Sequence, residues 1–314
     1  MKIIFFGLGS IGQRHAKLLI KSGGHEIFAL RTHQSDAPKP DFPVKELNSW
    51  EQVDAIKAQI AFITNPTSMH IPTAIECAKR GMSLFMEKPL GSSDEGLDEL
   101  LAIVEKKQLV SYVAYCLRFH PVILHLKELL SKETCLHMQI EAASYLPTWR
   151  PDRDHKKSYS SNRNLGGGVI FDLSHEIDYV DFFLGPVKQI NGQCSRSGNV
   201  TVDAEDCADM QIQCAGGYAN VHLSFLSHLN TRKITIYFPD RTVIADLITN
   251  VIYTYQKNAL VEQLDLPIER DQLFMRQLEF FLANIQNPHM MNNIKKSADL
   301  FRKICQFREK SYVS

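Results

Sequence analysis

Apolar residues in this chain follow two regimes. Through about residue 115 they come as short unbroken runs separated by amphipathic stretches. Ile3-Ile4-Phe5-Phe6 predicts a strand over 2–8, and 59–64 and 83–87 read the same way, apolar in their centres as parallel strands covered on both faces are. Ile11, His15, Leu18 and Leu19 recur at helical spacing and predict a helix over 10–22, ended by Gly23-Gly24. Helices are also predicted over 50–58, 71–80 and 94–107, and strands over 26–31 and 109–115. The polar, proline-containing stretch 33–48 reads as a loop with one short strand near Val44. Strands alternating with helices predict a doubly wound parallel sheet.

Past Phe119 the pattern changes. After a helix over 122–131, longer alternating strands are predicted over 137–145, 187–195, 207–214, 217–227, 232–238 and 242–247. Short turns such as Ala215-Gly216 make this second sheet largely antiparallel. Helices over 270–286 and 294–307 close the chain. The expected fold is α/β: a dinucleotide-binding (Rossmann) domain over 1–118, then an α+β domain over 119–314. A length of 314 residues supports two cores rather than one.

Composition removes several function classes. With 35 basic and 35 acidic residues the net charge is zero, which argues against a general nucleic-acid or anionic-membrane binder. No stretch of about 18 apolar residues is present to span a bilayer. Lys2 and the apolar run after it resemble a signal peptide only superficially, because glycines interrupt the run and Arg14, His15 and Lys17 follow. The seven cysteines are scattered without a C-x-x-C pair, so they read as free thiols of a reducing cytoplasm, with no metal site expected from them.

The first predicted strand stops at Gly7-Leu8-Gly9-Ser10-Ile11-Gly12, a G-x-G-x-x-G turn opening a helix. Gly7 permits the tight turn, Gly9 lets backbone approach a pyrophosphate, and Gly12 lets helix pack on strand, with Ser10 and Ile11 at the helix N-terminus. The second strand ends in Leu30-Arg31-Thr32 with no carboxylate for a ribose 2′-hydroxyl. A guanidinium and a hydroxyl there suit a 2′-phosphate, so NADP is favoured and NAD stays possible. Thr64, Asn65, Pro66 and His70 fall at the carboxyl edge of the sheet, where ligands bind, although His70 at a helix start also suits a structural role.

Glu87-Lys88-Pro89 ends a later strand at the same edge. Neighbouring strand side chains point opposite ways, so Glu87 and Lys88 cannot share one role. A cleft-facing lysine loses hydration and becomes useful for proton transfer. The long polar segment 145–159 holds Trp149, Tyr145 and Tyr159 as flat faces for a sugar ring, and Arg150, Arg153, Lys156 and Lys157 as partners for an anionic group. A solvated basic loop is the alternative.

Together, Gly7–Gly12, the run from Asn65 to Leu90, Tyr115 to Pro121 and Gly166 to His175 resemble the glucose–fructose oxidoreductase / inositol dehydrogenase / rhizopine catabolism (Gfo/Idh/MocA) family. The resemblance implies a catalytic pair, Lys88 and His175, with Asp172 holding substrate. It also implies a cofactor role for Glu87, Lys88 and Arg118 and a substrate role for Tyr115. The family's usual interval between aspartate and histidine is four residues; here it is three, and Glu176 takes the fourth place as a rival. Both spacings lie on one helical face. An open-faced second sheet used for homo-oligomer contacts, as dimer or tetramer, is implied as well. The expected activity is NAD(P)-dependent hydride transfer at a secondary alcohol or ketone of a sugar or of an activated or acidic sugar, with a loose likeness to members linked to bacterial surface-sugar biosynthesis. A nucleotide-binding sensor and a redox-assisted glycosidase are the alternatives.

Overall fold

The computed structural model describes residues 1–31, 40–149 and 154–313. Thr32, Arg150 and Arg153 lie outside the described residues. The chain divides into two compact units, 1–115 with 274–299 and 116–273 with 300–314.

In the first unit β1 (Lys2–Phe6), α1 (Ser10–Ser22), β2 (Glu26–Leu30), β3 (Lys45–Leu47), α2 (Trp50–Ile56), β4 (Ile60–Ile63), α3 (His70–Lys79), β5 (Ser83–Met86), α4 (Leu97–Lys106) and β6 (Ser111–Val113) follow one another. Six parallel strands stand in the order β3-β2-β1-β4-β5-β6. The order reverses between β1 and β4, and ligands of such sheets bind outside the carboxyl ends at that point. The apolar runs read from sequence are buried throughout: Ile3, Ile4, Phe5 and all of β4 lie in the core.

The second unit holds α5 (Pro121–Lys132), β7 (His137–Tyr145), α6 (Val169–Asp172), α7 (His175–Leu184), β8 (Val187–Ser195), β9 (Cys207–Cys214), β10 (Gly217–Ser224), β11 (Leu226–Tyr237), β12 (Thr242–Asp246), β13 (Val251–Gln256) and β14 (Ala259–Asp265). The chain closes with α8 (Arg270–Ala283), α9 (Ile294–Lys310) and β15 (Tyr312–Val313). Nine strands form one sheet, β14-β13-β12-β11-β7-β10-β9-β8-β15, antiparallel except at β7–β10 and β8–β15. Alternation decides its two faces: Ala208, Met210, Ile212 and Cys214 of β9 are buried, where α6 and α7 pack, while Asp209 and Gln211 face out.

Segment 274–299, expected with the second domain, packs with the first unit. Phe5, Phe62 and Phe85 stack in a column with centroids 4.8 and 4.3 Å apart, and Phe281 of α8 meets Phe85 edge-on at 5.2 Å. Gln277 Nε2 donates to the Tyr112 hydroxyl at 3.3 Å. Aromatic contacts across β1, β4, β5 and β6 thus recruit a helix that local pattern cannot assign.

Among the described residues no helix is long and apolar enough to cross a membrane.

Candidate functional site

The glycine turn shows which of its glycines serve packing. Gly7 has φ +98°, and a Cβ on it would lie 2.6 Å from the Asn65 backbone. A Cβ on Gly12 would lie 2.4 Å from Gly7 O. Gly9 differs, since a Cβ there meets nothing within 4 Å. Packing therefore leaves Gly9 free to be larger, and space remains beside it for a ligand to approach the backbone. Gly9 is also the N-cap of α1, with no side-chain cap and no acidic residue in the first turn. The N–H groups of Ser10, Ile11 and Gly12 are thus left with the positive end of the helix dipole for an anion.

The turn is held from β4's end. Thr64 Oγ1 donates to Gly7 O at 2.5 Å. Asn65 Nδ2 donates to Thr73 Oγ1 at 2.8 Å, while Asn65 Oδ1 is buried without a hydrogen-bond partner among the described residues. A buried acceptor of that kind fits a donor on a bound nucleotide. Pro66 precedes the short turn that leads into α3. His70 is buried, with Nδ1 2.8 Å from Pro89 O and Nε2 3.0 Å from Asn65 O. Burial pushes its pKa down, and a neutral ring donates to only one of these carbonyls. His70 thereby ties the Asn65 loop to the Pro89 segment, and both ring nitrogens are occupied by protein.

Glu87 and Lys88 follow directly on the end of β5 at Met86. Glu87 is buried, its Oε1 2.7 Å from His15 Nε2 and its Oε2 accepting from Lys88 N at 3.2 Å. His15 is itself enclosed by Phe62, Phe85 and Phe274. Lys88 is half-buried. Sequence reasoning saw His15 only as part of a helical stripe; its partner lies 72 residues away.

At the end of β2 the structure corrects one expectation. A carboxylate does stand beside Arg31: Nη1 donates to Glu46 Oε1 at 3.2 Å, from β3. Register pairs Ala29 with Glu46, so Arg31 and Glu46 share a face of the sheet. The missing signal is that 33–48 reads as mostly loop, which hides the pairing of β3 with β2.

In the second unit Gly168 has φ +119°, and a Cβ on it would lie 2.3 Å from Glu205 Oε1. Glu205 accepts from Arg308 Nε with both oxygens, at 3.0 and 2.9 Å, and this buried pair braces the glycine triplet. Burial pushes the Glu205 pKa up even against Arg308. α6 and α7 follow, carrying Asp172 and His175. Asp172 is buried and His175 half-buried, with Nε2 3.9 Å from Cys116 Sγ.

Glu176, the rival, is fully buried instead. Its Oε1 lies 2.8 Å from Arg232 Nε of β11 and accepts from the Tyr179 hydroxyl at 3.3 Å. Arg118 is committed to α7 as well: Nε and Nη2 donate to both Asp178 oxygens at 2.9 and 2.8 Å, with the guanidinium over Phe182. Burial, outweighing Arg118, pushes Asp178 up to about 6. Tyr115 is buried in the first unit. Trp149 is exposed, its Nε1 donating to Ser144 Oγ at 2.8 Å and its ring edge-on to Phe225. Tyr159 is half-buried, and Tyr145 stacks on His228 with centroids 4.1 Å apart. The candidates Thr32 and Arg150 fall outside the described residues.

Known proteins carry the same pattern. A family model described as "Oxidoreductase family, NAD-binding Rossmann fold" matches residues 1–115, and one described as "GFO/IDH/MocA C-terminal domain" matches 134–244. UDP-N-acetylglucosamine 3-dehydrogenase of Acidithiobacillus ferrooxidans is 24% identical over 214 residues, 67% of this chain and 63% of that protein. The NADP-dependent scyllo-inositol 2-dehydrogenase of Bacillus subtilis is 26% identical over 211 residues, 65% of this chain and 58% of its own length. The match thus spans less than two thirds of either relative. A levoglucosan dehydrogenase solved with NADH superposes with a TM-score of 0.83 at 16% identity, covering 99% of this chain and 95% of that one. Matched in both halves and in chain order, this protein belongs to the Gfo/Idh/MocA family of oxidoreductases.

Proposed function

We propose that the chain is an NAD(P)-dependent oxidoreductase acting on a secondary alcohol or ketone of a sugar or sugar derivative. One observation carries the reading: Gly9, alone in the glycine motif, has open space where its side chain would stand, above an uncapped helix N-terminus. The names of its relatives, dehydrogenases of sugars and inositols, support the substrate class. A nicotinamide nucleotide, when bound, supplies the hydride acceptor or donor.

The chain's own residues supply the rest. Lys88 exchanges the proton at the reacting oxygen, with His175 as its partner or relay. Asp172 orients a neighbouring hydroxyl. Glu87, held by His15, stays out of the reaction and fixes the backbone on which Lys88 stands. Glu176 is spent on Arg232, which leaves His175 as the acid–base group of its helix. Trp149 and Tyr159 offer flat faces to a ring, and the protein works as a cytoplasmic homo-oligomer. An activated or acidic sugar, and a role in bacterial surface-sugar biosynthesis, fall within this class.

For the cofactor we favour NADP, on the strength of Arg31. Glu46 neutralises part of that preference by holding the guanidinium and repelling a 2′-phosphate. Glu46→Gln is expected to tighten NADPH by about tenfold relative to NADH, and Arg31→Ala to weaken NADPH by a similar factor while sparing NADH. Nucleotide fluorescence titrations check both; equal changes for the two nucleotides would reassign Arg31.

The activity itself is tested by titrating nucleotide and then adding inositols, hexoses, anhydrosugars and nucleotide sugars. Reduced nicotinamide absorbance should change with at least one of them. Tight nucleotide binding with no change in either direction across the panel favours the sensor reading.

A further inference from the structure

The open face of the second unit's sheet carries a cluster that the reaction above does not use. Cys207 and Asp209 lie two residues apart on β9 and so share a face, and His222 of β10 stands opposite Asp209 in the antiparallel register. The face is the one away from α6 and α7, because their neighbours Ala208 and Met210 on β9 and Val221 and Leu223 on β10 are buried on the other side. One ligand atom from each of Cys207, Asp209 and His222 falls within 4.8 Å of the other two. His222 Nδ1 is 2.8 Å from Asp209 Oδ1.

We propose that Cys207, Asp209 and His222 form a binding site for a divalent transition metal, of which zinc is the best match. Thiolate, imidazole and carboxylate together are zinc donors, whereas magnesium and calcium take oxygen donors alone. Ligands around a tetrahedral zinc lie at about 2.0–2.3 Å from the ion, so donors already within 4.8 Å need only side-chain rotation to converge. Asp209 and His222 have that freedom, with 60% and 41% of their side chains exposed. The ion takes the place of the proton shared along the His222–Asp209 contact, and the Cys207 thiol releases its proton to solvent on binding. A water fills the fourth position.

The surroundings favour a cation. Register sets Glu141 of β7 beside His222, so a second carboxylate flanks the imidazole on the side away from Asp209. The nearest cation in the same row, Lys233 of β11, lies beyond Glu141 and stands 3.9 Å from Asp246. The two β9 ligands are adjacent rungs of one strand, and the third comes from the strand hydrogen-bonded to it, so the sheet itself fixes their spacing. Sequence reading cannot find the set, because a cross-strand histidine obeys no ligand spacing along the chain.

Cobalt(II) added to the purified full-length chain tests the site. One equivalent should produce a thiolate-to-cobalt charge-transfer band in the near ultraviolet and tetrahedral d–d absorption, both abolished by one equivalent of zinc. Cys207→Ala should lose the band, and Cys207→Ala and His222→Ala should each weaken zinc by about 100-fold in competition with a chromophoric chelator. Both variants sit on the open face, and an unchanged melting temperature without metal shows that they fold. No band in the parent chain, or a band that survives Cys207→Ala, overturns the proposal.

Discussion

Lys88→Met is expected to reduce turnover by about 1000-fold or more while changing NADPH affinity by no more than about twofold. General acid–base groups contribute two to four orders of magnitude, and methionine keeps the stem's bulk while removing the proton. The neighbouring carboxylate cannot substitute for it. Glu87 is buried against His15 and accepts from the Lys88 amide, so it holds the strand end whichever side chain follows. Steady-state rates and a nucleotide titration on the same preparation check the split. Full activity in the variant removes Lys88 from the chemistry, and equal losses of rate and affinity make it a cofactor ligand only.

Two substitutions in the glycine motif should have opposite consequences. Gly9 has φ −68° and ψ −172°, a conformation open to any residue, and a Cβ there touches nothing within 4 Å. Gly9→Ala should therefore fold with an unchanged melting temperature and lose nucleotide affinity by about tenfold or more, since the methyl occupies the space a pyrophosphate needs. Gly12 lies inside α1, where alanine alone would favour the helix by about 1 kcal/mol. A Cβ there would nonetheless lie 2.4 Å from Gly7 O and 2.7 Å from Thr64 Oγ1, both parts of a hydrogen-bonded turn that cannot yield cheaply. Overpacking of this kind costs about 1–3 kcal/mol, so Gly12→Ala should unfold at lower denaturant. Denaturant melts beside nucleotide titrations separate the two cases. A destabilised Gly9→Ala that still binds nucleotide normally would contradict the assignment of that space to a ligand.

The first unit was readable because its central strands β1, β4 and β5 are apolar runs with punctuated ends, whereas β3, Lys45-Glu46-Leu47, offers no such run. Gly7, Gly23-Gly24 and Gly81 mark where helices start and stop. The second sheet was read less fully. β14 has almost no buried side chain, so its residues show no alternation to detect. The β13–β14 hairpin turns through Lys257 and Asn258, both with positive φ and neither glycine, so nothing in that turn announces itself. The first part of α8 looks like any amphipathic helix, and contacts such as Phe281 against Phe62 and Phe85 and Gln277 on Tyr112 reveal which sheet it covers.

The candidate site divides along the same line. Positions fixed by local backbone, such as the glycine motif, the Glu87-Lys88-Pro89 strand end and the glycine triplet, could be named from sequence. Partnerships across the fold could not. Glu46 on Arg31, His15 on Glu87, Arg232 on Glu176 and Asp178 on Arg118 join residues from separate elements, and each decides which charged groups remain for a ligand.

The most direct test of the whole account is a crystal structure of the chain with NADPH and a slowly reacting sugar. The account predicts the pyrophosphate on the Gly9–Gly12 backbone and, within hydrogen-bonding distance of one and the same sugar oxygen, both Lys88 Nζ and the His175 imidazole. A nucleotide seated there with the two groups turned to different ligands, or with no sugar in reach of Lys88, contradicts it.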